Sequence, residues 1–140
     1  MSAHFDYTIF SVDDVESTLD FFTASFDFPR RLLTPEGDYG ELETGQTTLA
    51  FASNALMSTN LEQAGGFARL SAAQAPVGAT ITLTTEDVEA TVERALTNGA
   101  TRYGTTDDKP WGQTVAYLRD GNGILLEIAT PIRPATTGPR

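Results

Sequence analysis

The chain has 140 residues and no cysteine, with 9 Lys and Arg against 19 Asp and Glu and a formal net charge of -10. These figures exclude disulfide frameworks, thiol nucleophiles and thiolate metal sites, and they disfavour nucleic acid and anionic membrane surfaces while favouring cationic ligands. The opening Met1-Ser2-Ala3-His4-Phe5-Asp6 carries no basic or apolar leader and no stretch approaches the roughly 20 apolar residues of a membrane span, so the expectation is one soluble, cytoplasmic domain over 1–140 with no membrane partner.

Taken in chain order, the first feature is a repeat. Residues Tyr7 to Leu19, YTIFSVDDVESTL, recur as Thr80 to Val92, TITLTTEDVEATV, offset by 73 residues from 7 to 80. In each copy an extended run meets an acidic pair and changes from period 2 to period 3.6, the mark of a strand entering a helix. Asp13-Asp14 and Glu86-Asp87 stand where a helix N-terminus exposes unpaired N–H groups, so their role reads as capping.

The first helix is predicted from about Asp14 to Phe26, with Val15, Leu19, Phe22 and Phe26 on one face. Three short strands follow, Arg30–Leu33, Tyr39–Glu43 and Thr47–Ala52, parted by the turn signals Pro35-Glu36-Gly37-Asp38 and Thr44-Gly45-Gln46. The stretch from Ser53 to Gly78 lacks strand alternation. It is too long for a plain turn, and Leu56, Met57, Leu61 and Phe67 suit a connector with some helix that partly covers a pocket.

The second helix carries Val88, Val92 and Ala95 and ends at Gly99. Strands at Thr101–Tyr103, Thr114–Arg119 and Ile124–Ala129 follow, the last two joined by Asp120-Gly121-Asn122-Gly123, a strong hairpin signal. After Pro131 two further prolines and no periodicity predict a frayed tail. The fold class is therefore α+β, as two tandem βαβββ modules: one over about 5–52, a connector over 53–78, and a second over about 79–131.

The ordered pair of strand-Asp-Val-helix units, with Lys109-Pro110-Trp111-Gly112-Gln113 and Asp120-Gly121-Asn122-Gly123-Ile124-Leu125-Leu126-Glu127 in the second half, resembles the vicinal-oxygen-chelate superfamily of glyoxalases, bleomycin-resistance proteins and extradiol dioxygenases. The resemblance runs from Phe5 to Pro131. It implies curved mixed sheets around a central cavity and a homodimer. It does not imply one reaction, because isomerases, lyases, dioxygenases and drug-binding proteins share the fold.

Metal-dependent members hold a divalent ion through ligands on the first and last strand of each module. The resemblance places Tyr7, Ala50, Thr80 and Glu127 at those positions, and only Glu127 is a good ligand: Ala50 has no donor, Thr80 is neutral, and the Tyr7 phenol would have to lose a proton held to about pH 10. The expectation is no metal and no cofactor, with one divalent metal as the alternative. His4, the only histidine, is three residues before Tyr7 and falls on the opposite face of a strand, which leaves a nucleophile–His triad without a placed base.

The remaining candidate ligand-binding residues are Tyr7, Phe51, Trp111, Tyr117 and Glu127, a carboxylate among aromatics. Glu127 in an apolar cleft can hold a cationic or hydrogen-bond-donating ligand, or act as a general base, and Lys109 and Arg119 are candidates to neutralise it. Three functions stay open. The first is a metal-free small-molecule-binding protein sequestering an aromatic or cationic compound such as an antibiotic, a reading that leans away from an enzyme. The second is a lyase, isomerase or dioxygenase acting on a small oxygen-rich substrate, and the third a non-catalytic regulatory or interaction module.

Overall fold

The computed structural model of the protein describes residues 1–132; the expectation of a frayed tail concerns residues almost wholly outside that range. Strand β1 (Tyr7–Val12) leads into helix α1 (Val15–Phe26). The Asp14 carboxylate accepts from the Ser17 N–H, so the second member of the acidic pair is the cap. Asp27 then stops the helix with φ 66°, a left-handed conformation that Asp tolerates better than most residues.

Strands β2 (Arg30–Leu33), β3 (Tyr39–Leu42) and β4 (Thr48–Ser53) complete the first module. Its sheet has the order β1-β4-β3-β2, with β1 parallel to β4 and the other pairs antiparallel. The second module repeats this plan. Strand β5 (Thr80–Thr84) precedes helix α3 (Val88–Thr97), which is capped by Asp87 accepting from the Ala90 N–H, and β6 (Thr101–Arg102), β8 (Thr114–Arg119) and β9 (Leu125–Ala129) give the order β5-β9-β8-β6.

Two features go beyond the expected plan. The second strand of module two is interrupted: β6 and the two-residue β7 (Asp107–Asp108) both pair with β8, and the register moves from Arg102↔Leu118 to Asp107↔Val115. In the connector, helix α2 (Asn54–Leu61) begins directly after β4, capped by Ser53 Oγ, which accepts from the Leu56 N–H.

The helices cover one face of each sheet, and a single core runs through both modules, with Phe22, Phe51, Leu19, Val92, Leu118, Leu126 and Ile128 among its fully buried members. Each such side chain contributes roughly 1.5–3 kcal/mol by leaving water. Close approach of helix to sheet depends on Gly40, where a Cβ would lie 2.6 Å from Leu19 Cδ1. The modules are tied on the helix side. Asn122 Nδ2 donates to Thr18 Oγ1 at 3.0 Å, and Arg94 pairs with Asp27 at 2.7 Å.

Candidate functional site

Opposite the helices, each sheet keeps a second face, and strand pairing decides which side chains share it. In module two, Thr82 pairs with Glu127 and Tyr117 with Glu127 on the other side, so the three stand in one row across β5, β9 and β8. Thr82 Oγ1 donates to Glu127 Oε1 at 2.6 Å and the Tyr117 hydroxyl donates to Oε2 at 2.9 Å. The carboxylate is half-buried. A carboxylate offers about four lone-pair directions, so two hydroxyl donors hold it in place and still leave acceptor capacity for a ligand.

The two expected neutralising cations are engaged elsewhere. Lys109 Nζ sits 3.9 Å from Asp107. The buried Arg119 guanidinium donates to the carbonyls of Ser71, Ala72, Gln74 and Gly123 and lies 5.8 Å from the Tyr103 ring centre. Arg119 thus clamps the connector across one end of the sheet instead of reaching Glu127.

Module one carries a different polar cluster on its corresponding face, which sequence reasoning missed. Ala50 pairs with Ile9 and Glu41, so the place matching Glu127 holds a methyl group and the carboxylate has moved one strand over. Glu41, only 9% exposed, accepts from Arg31 Nε and Nη2 at 3.0 and 2.9 Å and from the Tyr39 hydroxyl at 2.7 Å. Desolvation, and then donation to Glu41, push the Tyr39 phenol well above its ordinary value. Here the negative charge is neutralised within the protein, whereas among the described residues no ion pair engages Glu127.

The five predicted ligand-binding residues are not brought to one place. Tyr117 and Glu127 touch; Tyr7 shares the corresponding face of module one and is 48% exposed. Phe51 is corrected to the core: it lies on the helix side of β4, fully buried, 5.3 Å from Phe22 between ring centres. The signal was available, since the alternation that puts Ala50 on the open face puts Phe51 on the other. Trp111 stands on the turn between β7 and β8, 63% exposed, its indole N–H donating to Gln113 Oε1. It borders a hollow with Glu86, Thr130 and Ile132 rather than the Glu127 row. His4 is exposed ahead of β1.

The donor set does not fit a divalent ion at the four implied positions. Ala50 is a buried methyl, Thr80 is a neutral hydroxyl and Tyr7 is a phenol, which leaves Glu127 as the one good donor of the four; among the described residues no group of three or more His, Cys, Asp or Glu side chains could hold a metal. A separate cavity of about 360 Å³ lies between the modules, flanked by β1 and β5, and of the site residues named above it touches only Thr80 and Thr82.

Comparison with known proteins agrees with this architecture. The family model of the Glyoxalase/Bleomycin resistance protein/Dioxygenase superfamily matches residues 4–128. An uncharacterized protein of Mycobacterium bovis is 29% identical over 122 residues, covering 87% of this chain and 80% of its own length, and one of Mycobacterium tuberculosis is 29% identical with 87% and 71% covered. Among solved structures, a glyoxalase-related enzyme from Fulvimarina pelagi superposes with TM-score 0.76 at 16% identity, covering 98% of this chain and 96% of that one. A glyoxalase/bleomycin resistance protein/dioxygenase family enzyme from Burkholderia phytofirmans PsJN gives 0.72 at 19% identity, with 91% and 98% covered. At such identities these structures speak for the fold alone.

Proposed function

The chain belongs to the glyoxalase/bleomycin resistance protein/dioxygenase superfamily, and from that premise we propose that it is a small-molecule-binding protein that holds a cationic or hydrogen-bond-donating ligand at Glu127, an aromatic antibiotic being one compound of that kind. One observation carries the reading: Glu127 is fixed by Thr82 and Tyr117 while both nearby candidate cations are committed to other partners. A positioned carboxylate with no counter-ion among the described residues gains most from a partner that arrives from outside. The poor metal donor set is consistent with binding without a metal, and the net charge of -10 draws cations toward the surface.

A thermal-shift survey of cationic aromatic compounds tests this, because a ligand at 100 times its dissociation constant adds about 2.7 kcal/mol to stability. Glu127→Gln is expected to weaken any hit at least tenfold. Affinity unchanged in Glu127→Gln overturns the reading, and turnover lost with binding retained assigns Glu127 as a general base instead.

The same proposal includes a homodimer working in the cytoplasm. Tyr7 and Ile9 on the outer strand β1, and Phe5 just ahead of it, are exposed, an apolar edge that a two-fold partner would cover. Light scattering giving a 15.0 kDa monomer at micromolar concentration would count against the dimer.

A further inference from the structure

Beyond the end of β1 two polar hollows adjoin, sharing Asp13, Gly121 and Asn122 in their walls. The smaller, about 200 Å³, lies against Ser11, Asn54 and the connector at Ser71. The larger, about 370 Å³, adds Asp14 and Asp120, with Phe21 in its wall, and neither hollow includes Thr82, Tyr117 or Glu127. Among the described residues no Lys or Arg lines either one, and no ion pair engages Asp13, Asp14 or Asp120. Arg119, next to Asp120 in sequence, gives its guanidinium to the carbonyls of Ser71, Ala72, Gln74 and Gly123.

Capping and turn formation account for Asp14 and Asp120. The Asp14 carboxylate accepts from the Ser17 N–H, and Asp120 accepts from the N–H groups of Asn122 and Ile124. Neither role explains Asn54. It is 7% exposed, its Nδ2 donates to Asp13 Oδ1 at 2.6 Å, and its buried Oδ1 has no partner among the described residues. Because Nδ2 is turned to Asp13 and Asn54 lines the smaller hollow, Oδ1 is the part of the amide left for an occupant. A buried amide oxygen without a donor is costly, and in folded proteins such groups are nearly always paired. The missing partner here is a donor beside a carboxylate. Asp120 adds to the demand for positive charge, since burial raises its carboxyl above its ordinary value against donation from Asn122, Ile124 and Gly123.

We infer that the paired hollows bind a linear aliphatic diamine or polyamine, one ammonium group placed against Asp13 and Asn54 Oδ1 and a second against Asp14 and Asp120, with the methylenes against Phe21. An ammonium group carries three donors and no acceptor, which suits a carboxylate and an amide oxygen short of donors. Hydrogen bonds from a cation to a carboxylate are the stronger kind, and joining two heads by one chain makes the second contact intramolecular. The net charge of -10 attracts any cation; only a built site distinguishes two linked heads from one. The assignment does not rest on the Glu127 reading.

Calorimetric titration of putrescine, butylamine, Ca²⁺ and Mg²⁺ into the full chain tests it. Putrescine is expected to bind saturably at one per chain, at least tenfold more tightly than butylamine. Asn54→Leu removes the unpaired oxygen at similar size, and Asp14→Asn keeps a capping side chain without the charge. Each is expected to weaken putrescine at least tenfold with the thermal midpoint retained, and should one variant fail to fold the other decides. Glu127→Gln is expected to leave putrescine affinity within about twofold. Equal affinity for putrescine and butylamine, or unchanged affinity in folded Asn54→Leu and Asp14→Asn protein, overturns the assignment in favour of general attraction to an acidic surface. Loss of putrescine binding in Glu127→Gln overturns it by moving the amine to Glu127. Ca²⁺ or Mg²⁺ bound in place of putrescine, and weakened by the same two variants, overturns it in favour of a metal ion.

Discussion

The Tyr117 hydroxyl donates to Glu127 Oε2 at 2.9 Å across the pair β8–β9. Ionising that phenol removes the donor and sets a second negative charge against the carboxylate, so the hydrogen bond to Glu127, with some desolvation, holds the Tyr117 proton above the usual tyrosine value. Tyr39 is raised too, first by desolvation and then by its bond to Glu41.

For both phenols the folded value lies above the unfolded one, so the folded state binds more protons once pH passes about 10. The stability they contribute is complete below that point and is lost as pH rises through the folded values. Titration of phenolate absorbance in the native protein is expected to show at least two late-ionising phenols among the four tyrosines. Tyr117→Phe should remove one of them. Ordinary ionisation of every tyrosine in protein that remains folded would contradict both hydrogen bonds.

The connector depends on a glycine. Gly123 has φ +92°, and a Cβ there would meet Arg119 Nη2 at 2.7 Å, Ser71 O at 2.8 Å and Ala72 N at 2.9 Å. Arg119 Nη2 and Ser71 O are partners in the clamp, so Gly123→Ala is expected to cost about 1–3 kcal/mol in urea unfolding and to expose residues 71–74 to protease. Gly121→Ala is the control. Its Cβ meets nothing within 4 Å and its φ is ordinary, so its effect should stay within about 0.5 kcal/mol. Equal effects from the two substitutions would show that the clamp does not hold the connector.

The helix-side face of module one should respond as core. Phe51→Ala is expected to cost about 3–5 kcal/mol, and Gly40→Ala about 1–3 kcal/mol through contact with Leu19 and Val15. Neither should alter the affinity of the folded protein for a ligand at Glu127. A Phe51→Ala protein of normal stability with impaired binding would return Phe51 to the open face.

The plan of two modules was legible because its signals are local. The repeated strand-to-helix switch, the caps Asp14 and Asp87, and the Asp120–Gly123 turn all act within a few residues, and the structure has each of them. The Glu41 cluster was not legible because it depends on a register irregularity: β2 is bulged between Arg30 and Leu32, which turns Arg31 toward Glu41 against simple alternation. Strand β7 was missed for a similar reason, since Asp107 and Asp108 have no strand preference and pair only because β8 offers its edge. The fate of Arg119 could not be read either. Apart from the Gly123 carbonyl, its partners are backbone carbonyls of a connector 45 to 48 residues away, which leave no trace in side-chain pattern.

Trp111 provides the last test, because the hairpin that joins it to Glu127 in sequence also separates them in space. The indole sits on the turn before β8 begins at Thr114, whereas Glu127 pairs with Tyr117 three residues further along that strand. At about 3.3 Å per residue, the strand alone sets Glu127 roughly 10 Å beyond Thr114. The indole N–H is taken by Gln113 and the ring is 63% exposed. As the only tryptophan in the chain, it reports on itself, so native emission should be that of a solvent-exposed indole, readily quenched by acrylamide. Saturation with a ligand that Glu127→Gln weakens should leave that quenching unchanged, and Trp111→Ala should shift affinity by less than about 0.5 kcal/mol. Protection of the indole on ligand binding would mean that the β7–β8 turn folds over the ligand, and Trp111 would then belong to the site.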